Sequence, residues 1–349
     1  MARAPYDALL THGFVVDGSG HKMSKSRGNV IAPQKILDTL GADILRLWAA
    51  ATDYSGELTI SDEILKRVVE SYRRIRNTLR FLLANIADFD VVRDAMPVEQ
   101  WLEIDRYALA LTQKLQEEVC ADYERYEFHL AVQKLQGFCT EELGGFYLDI
   151  LKDRLYTAGK NSVARRSAQN ALHHITHSLA HLIAPILSFT GEEVMEVLSG
   201  KDDVSVFEQQ WYVFPQVLEK QNLLDEWASV RQIRERVSKR LEEKRAAGEI
   251  GSSLAAELDI YLLPSSRLYE IFNRFQDDLR LVFITSRATL HADIEGSQKD
   301  IIKVTPSAHT KCERCWHYRE DVGADAQHPT LCGRCVSNLY GSGEVRRYA

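Results

Sequence analysis

No run of eighteen or more apolar residues occurs in this 349-residue chain, so nothing in it reads as a membrane-spanning helix. The start, Met1-Ala2-Arg3-Ala4-Pro5-Tyr6-Asp7, lacks the apolar stretch and cleavage site of an export signal, and a cytoplasmic location is expected. A basic excess is missing too. Lys and Arg number 43 against 50 Asp and Glu, a formal charge of −7, so any nucleic-acid contact must come from local patches. Salt confines such patches to a reach of about 8 Å. No internal repeat appears. Cysteine is scarce, six residues, and unevenly placed: Cys120 and Cys139 fall in helical stretches, whereas Cys312, Cys315, Cys332 and Cys335 crowd together. In a cytoplasmic chain such a cluster reads as a metal site before it reads as disulfides.

What is present describes an ordinary globular chain, 45% hydrophobic and 27% charged, long enough for two or three domains. Near its start stands Gly18-Ser19-Gly20-His21-Lys22-Met23-Ser24-Lys25-Ser26-Arg27-Gly28-Asn29, after a strand-like Gly13-Phe14-Val15-Val16. Two lysines three residues apart, among serines and glycines, make a cationic loop suited to a polyphosphate, since glycine lets backbone N–H groups approach phosphate oxygens. Taken alone, such a loop is more often a solvated turn than a nucleotide site. Pro33 then opens a helix with apolar residues at Ile36, Leu37, Leu40, Ile44, Leu45 and Trp48.

From Ser61-Asp62-Glu63, a helix start with a capping serine, the longest helix is expected. Its stripe Ile64, Val68, Tyr72, Ile75, Leu79, Leu82 and Ile86 must bury, and Lys66, Arg73, Arg76 and Arg80 lie on another side. That basic side is either a solvated face or a rail for an RNA backbone. Helices follow at roughly 103–123 and 126–142, with a break at Gly144-Gly145, then 165–198, kinked or divided at Pro185. A mainly α bundle is the natural architecture. His173, His174, His177 and His181 invite a metal reading, but they fall on the polar side of their helix and suit a surface or RNA-facing role better. A linker at 199–222 leads to a second basic helix that contains Arg234 and ends near Gly248. A strand at Leu258–Leu263, a helix near 266–281, and strand-like pieces near 282–292 and 300–305 complete a small α+β unit.

Cys312-Glu313-Arg314-Cys315 and Cys332-Gly333-Arg334-Cys335 are two C-x-x-C knuckles separated by sixteen residues. Four thiolates so arranged close a tetrahedral zinc shell and leave no open position, so one structural zinc is expected, with Gly333 permitting a tight turn. A redox dithiol would need only one such pair, beside a βαβ pattern that is absent. Trp316, Arg334 and their basic and aromatic neighbours could stack on bases and pair with phosphates.

The string Lys22-Met23-Ser24-Lys25-Ser26, running into Gly28-Asn29 and Gly41-Ala42-Asp43-Ile44-Leu45-Arg46, resembles the second signature of class I aminoacyl-tRNA synthetases, in particular the isoleucyl, valyl and leucyl branch. The order of lysine signature, helical bundle and terminal four-cysteine unit is similar to that of bacterial isoleucyl-tRNA synthetases. The resemblance implies the tail end of a Rossmann-like catalytic domain (1–60), a helical anticodon-binding bundle (61–215), an α+β junction (216–305) and a zinc unit (306–349). It further implies adenylation of isoleucine by ATP with Mg²⁺ and transfer to the isoleucine tRNA. Lys25, with Lys22, would stabilise charge on the leaving pyrophosphate, and Ser24 would join them in the ATP loop. Arg73, Arg76, Arg80, Arg234, Trp316 and Arg334 are the candidate tRNA contacts. The first signature of the class, His-Ile-Gly-His, is absent, as are the amino acid pocket and the editing domain. The expectation is therefore a C-terminal portion, monomeric or paired with an N-terminal fragment and nearly inactive alone. The alternatives are a non-catalytic tRNA-binding module and, more weakly, a zinc-dependent RNA-binding regulator.

Overall fold

A computed structural model describes residues 5–201, 203–293 and 301–349. Residues 1–4, Asp202 of the expected linker and 294–300, which take in the first residue of the expected strand 300–305, lie outside the described residues.

In chain order the elements are β1 (Val15–Val16), α1 (Pro33–Leu40), α2 (Ala42–Ala51), β2 (Leu58–Thr59), α3 (Asp62–Ile86), the single turn α4 (Val91–Asp94), α5 (Glu103–Glu124), α6 (Phe128–Gly137), α7 (Leu148–Thr157), α8 (Val163–Ile183) and α9 (Ser188–Ser199). There follow α10 (Lys220–Ala246), β3 (Ala256–Leu262), α11 (Arg267–Phe275), α12 (Leu279–Phe283), β4 (Arg287–Ala292), β5 (Ile301–Pro306), β6 (Thr310–Lys311), β7 (Tyr318–Arg319) and α13 (Gly333–Tyr340). The fold is mainly helical. Pro185 divides α8 from α9 as its missing N–H requires. The break expected at Gly144-Gly145 is not a break. Residues Phe138–Tyr147 continue the helix in π turns, and a Cβ on Gly144 would stand 2.9 Å from the Cys139 carbonyl, so glycine here permits a wide turn. The single helix expected near 266–281 is interrupted at Gln276, whose φ is +49°.

The chain packs as two compact units. The first comprises residues up to Ala84, Thr112–Gly144 and Ile175–Val213; the second comprises Asn85–Leu111, Gly145–His174 and Phe214–Ala349. In the first, β1 pairs in parallel with β2, and Ile36, Ile44, Trp48, Leu58, Ile60 and Leu65 form a core. The lower half of the α3 stripe, Ile64, Val68 and Tyr72, packs on that core, which is why those spacings read as a buried face. Asp43 caps α9 from a distance: its carboxylate accepts from the Phe189 and Thr190 N–H groups (3.2 and 2.8 Å) and from the Thr190 hydroxyl (2.6 Å).

In the second unit, β3 pairs in parallel with β4 and antiparallel with β5. Ala256, Leu258, Ile260 and Leu262 are buried, and Glu257, Asp259 and Tyr261 alternate to the open face. Trp227 of α10 is fully buried, stacks on Tyr107 at 5.4 Å and donates to Glu103 at 3.1 Å. Asp105, also fully buried, accepts from Tyr147, Arg154 and Ser167, so every charge in that cluster has a partner.

The histidines of α8 correct the helical-wheel reading. His173 lies against Phe89 and His174 stacks on Trp101 (5.5 and 5.6 Å) in the second unit; in the first, His177 stacks on Tyr212 at 5.4 Å and His181 is buried. Imidazole covers apolar rings as readily as it meets water, and polarity alone misplaced these four. Burial, reinforced by His173, pulls the His174 pKa down to about 4.

Candidate functional site

Two chemical centres emerge, one in each unit. In the first unit the lysine loop is a stapled hairpin. Strand residue Val16 bridges to Lys22, and Gly20 turns the chain at φ +79°. Asp17 accepts from the Ser19 and His21 N–H groups (3.0 and 2.9 Å) and from the Asn29 side-chain amide (2.8 Å). The Asn29 amide and the His21 N–H hold the Asp17 carboxyl below its ordinary range. Asn29 in turn accepts from the Ser24 N–H at 2.9 Å, so one amide joins both limbs. The Ser24 hydroxyl caps the short 3₁₀ turn Lys25–Arg27, which ends on Gly28 at φ +68°.

Met23 is drawn toward the core of Ile36, Ile44 and Trp48, and this anchors the loop between two exposed lysines. Lys22 Nζ rests 4.2 Å from the centre of the Phe14 ring. Lys25 is exposed and has no acidic partner among the described residues. Asp17 and Asn29 were not singled out from sequence as loop supports; the signal was the Asp17-Gly18 turn dipeptide and Asn29 directly after a glycine.

In the second unit Cys312, Cys315, Cys332 and Cys335 are all buried and their sulfurs lie within 4.8 Å of one another. Sulfurs about 2.3 Å from a common tetrahedral centre sit about 3.8 Å apart, and Cys315 Sγ to Cys332 Sγ is 3.7 Å. The donor set therefore fits a zinc ion. As bare thiols the four cannot all ionise. Hydrogen bonds from Cys332 and Cys335 push the Cys315 pKa down, whereas the Cys315 contact pushes Cys332 up to about 11 and raises Cys335 as well. A divalent cation is what allows four thiolates side by side.

The first knuckle is closed by Trp316 N–H to Cys312 O (2.9 Å) and by Cys312 N–H to His317 O (2.9 Å), with Trp316 itself at φ +65°. In the second, Cys332 N–H points at Cys312 Sγ (3.3 Å) and α13 begins at once. Gly333 serves close approach and not a turn: its N–H donates to Asp321 at 3.1 Å, and a Cβ there would meet the same oxygen at 3.0 Å.

Arg234 and Arg334 are corrected as RNA contacts, because both guanidiniums are buried and paired. Arg234 donates to the Val282 carbonyl and to Asp149 (3.3 Å). Arg334 grips Asp153 with both nitrogens (2.7 and 2.8 Å), and Arg346 joins at 2.5 Å. Burial alone would raise the Asp153 pKa; Arg334, Arg346 and His317 overcome it and hold the carboxyl well below its usual range. Arg314, between two ligand cysteines, donates to the Thr157 carbonyl at the end of α7 (2.6 Å) and lies 3.8 Å from Cys335 Sγ.

Trp316 is 60% exposed with Lys311 Nζ 5.3 Å from its ring centre. On α3, Arg73, Arg76 and Arg80 reach the surface. Arg73 pairs with Glu70 (2.7 Å) and Arg76 with Glu193 (2.6 Å).

With the geometry in place, three family models match the chain in succession. Residues 1–61 match the model "tRNA synthetases class I (I, L, M and V)", 105–261 the "Anticodon-binding domain of tRNA ligase", and 311–338 the "Zinc finger found in FPG and IleRS". The isoleucine–tRNA ligase of Thiobacillus denitrificans is 63% identical over 347 residues, 99% of this chain and 37% of the relative. That of Dechloromonas aromatica is 62% identical over 344 residues, 99% of this chain and 36% of the relative.

Over nearly its whole length the chain is similar to isoleucine–tRNA ligases.

It spans a little over a third of the length of these relatives. Among solved structures, the ternary complex of Agrobacterium radiobacter K84 agnB2 LeuRS is similar with a TM-score of 0.44 at 17% identity, covering 76% of this chain and 30% of that one. The four-thiolate centre lies in the segment that matches the zinc-finger model and is closed by four protein ligands, so its zinc is structural. Among the described residues no helix is long and apolar enough to cross a membrane.

Proposed function

We propose that this chain contributes to isoleucine–tRNA ligation: activation of isoleucine with MgATP, then transfer to the isoleucine tRNA in the cytoplasm. The observation that carries this reading is the lysine signature held as a stapled, exposed loop within a chain 63% identical to an isoleucine–tRNA ligase. Residues 1–60 supply the ATP loop, 61–215 the tRNA-docking bundle, 216–305 the junction and 306–349 the zinc unit. Isoleucine would be bound by the part of the relatives that this chain does not match, the protein acting as a monomer or with that part as partner.

In the reaction, the isoleucine carboxylate attacks the α-phosphorus of ATP and pyrophosphate leaves. Lys25, unpaired and hinged on the Ser24-capped turn, meets the charge that develops on the leaving group; Lys22 assists after leaving Phe14, and Ser24 orients the turn. Loss of one such cation costs about 2.7–4 kcal/mol in the barrier. Arg73, Arg76, Arg80 and Trp316 are the proposed RNA contacts.

The test is ATP–pyrophosphate exchange by the chain alone and with the remaining part of the Thiobacillus denitrificans relative supplied in trans. Exchange restored by the partner and abolished by Lys25→Ala supports the reading. No restoration, with tRNA binding intact, leaves a non-catalytic tRNA-binding module and overturns it.

A further inference from the structure

In the first unit, a cavity of 480 Å³ opens beside the turn that divides α8 from α9. Its lining includes His181, Pro185, Val206, Phe207, Gln209, Gln210 and Trp211, and no lining residue carries a fixed charge, the nearby Arg46 guanidinium being spent on the Pro185 and Ile186 carbonyls (2.8 and 2.9 Å). It is therefore not built for a phosphate or a carboxylate. The rim segment is pinned at both ends. Glu192 accepts from Val206 N–H at 2.9 Å and from the Ser205 hydroxyl at 3.2 Å, and Gln116 donates to the Tyr212 carbonyl at 2.7 Å.

Trp211 is 43% exposed, and the ring behind it is Tyr123, parallel within 8°. Phe207 is exposed on the same rim. His181 is buried, and its Nδ1 lies 2.6 Å from the His177 carbonyl, a contact in which Nδ1–H donates and Nε2 is the ring nitrogen not used by it. The side-chain amides of Gln209 and Gln210 bond to nothing among the described residues, so two donor–acceptor pairs stand ready at the mouth.

We propose that this cavity receives one unpaired nucleobase of the bound tRNA, stacked on Trp211 and read along its edge by Gln209, Gln210 and His181. Flat aromatic walls, uncommitted amides and the lack of charge suit a neutral planar heterocycle whose phosphates are held elsewhere. The residues lie within the segment that matches the anticodon-binding model. The inference rests on the reading that the chain binds tRNA.

The experiment titrates the chain with a transcript of a bacterial isoleucine tRNA, by fluorescence anisotropy, over a range of salt. Trp211→Ala should weaken binding about tenfold, the effect of losing one base–aromatic stack. Trp211→Phe should recover most of it, and Gln209→Ala with Gln210→Ala should weaken binding while the fold is untouched. In all of them the salt slope should stay that of the unaltered chain, because no phosphate contact is removed.

Trp48, Trp101 and Trp227 are buried, so in a Trp316→Phe background the emission quenched by RNA should come from Trp211. Unaltered affinity in the Trp211 and glutamine variants, or an unquenched Trp211, overturns the pocket while tRNA binding stands. Failure of the unaltered chain to bind the transcript sinks the broader reading instead. Competition of adenosine for Trp211 quenching, without any effect of the variants on tRNA affinity, would show a free-nucleoside site and also overturns the proposal.

Discussion

Acid should destabilise the second unit through His174, by an amount the structure sets. The imidazole stacks on Trp101 with ring centres 5.6 Å apart, and burial, with His173 beside it, lowers its pKa from 6.5 to about 4. The folded state therefore resists the proton that the unfolded chain takes up below pH 6.5. Stability must fall as pH drops from 6.5 toward 4, with no further loss from this group below that. Between pH 7 and 5 the two values give a loss of about 2 kcal/mol, and about 3.4 kcal/mol for the full shift.

The perturbation is His174→Phe, which keeps a ring on Trp101 and cannot titrate. Urea unfolding followed by circular dichroism at pH 7, 6 and 5, with zinc in excess throughout, should show the variant flatter than the unaltered chain by about 2 kcal/mol across that range. The zinc site is common to both proteins, so its own acid sensitivity cancels in the difference. Equal pH slopes would refute the assignment of a buried neutral imidazole.

Removing a thiolate, Cys332→Ser, should take zinc from one ion per chain to none by mass spectrometry of metal content, because the shell has no spare ligand. Asp153→Ala leaves Glu344 (3.5 and 2.9 Å) as the one carboxylate balancing the buried pair Arg334 and Arg346, and should cost about 3–5 kcal/mol in urea unfolding; a loss under about 1 kcal/mol would mean that Glu344 compensates both arginines. Asn29→Ala cuts the amide that joins the limbs of the lysine loop, so limited trypsin digestion should cleave at Lys22 and Lys25 faster while far-ultraviolet circular dichroism stays unchanged. Asp43→Ala removes the distant cap of α9 and should cost about 1–2 kcal/mol, read from the urea midpoint.

Much of the architecture was legible because it follows from local chemistry. Helix stripes, the Ser61 cap and the stop at Pro185 depend on residues within a few positions of one another, and so does the alternation of β3. Errors arose where a neighbour from elsewhere decided the outcome. Gly144-Gly145 reads as a break until the helix is seen to widen; Gly333 reads as a turn until Asp321 arrives twelve residues from behind. The α8 histidines read as polar because nothing nearby in sequence announces Phe89, Trp101 or Tyr212.

The sequence by itself determined which groups are the candidates for the chemistry: two lysines in a glycine-bounded loop, four cysteines at ligand spacing, and cations along α3. Their kind and spacing are covalent facts, and thiolate or ammonium chemistry needs little more to be named. Tertiary structure alone decided which cations remain available. Arg234 and Arg334 look like Arg80 in one dimension, but a buried guanidinium must take a carboxylate or a carbonyl from wherever the chain folds one against it, and only the folded chain brings Asp149, Val282 and Asp153 there.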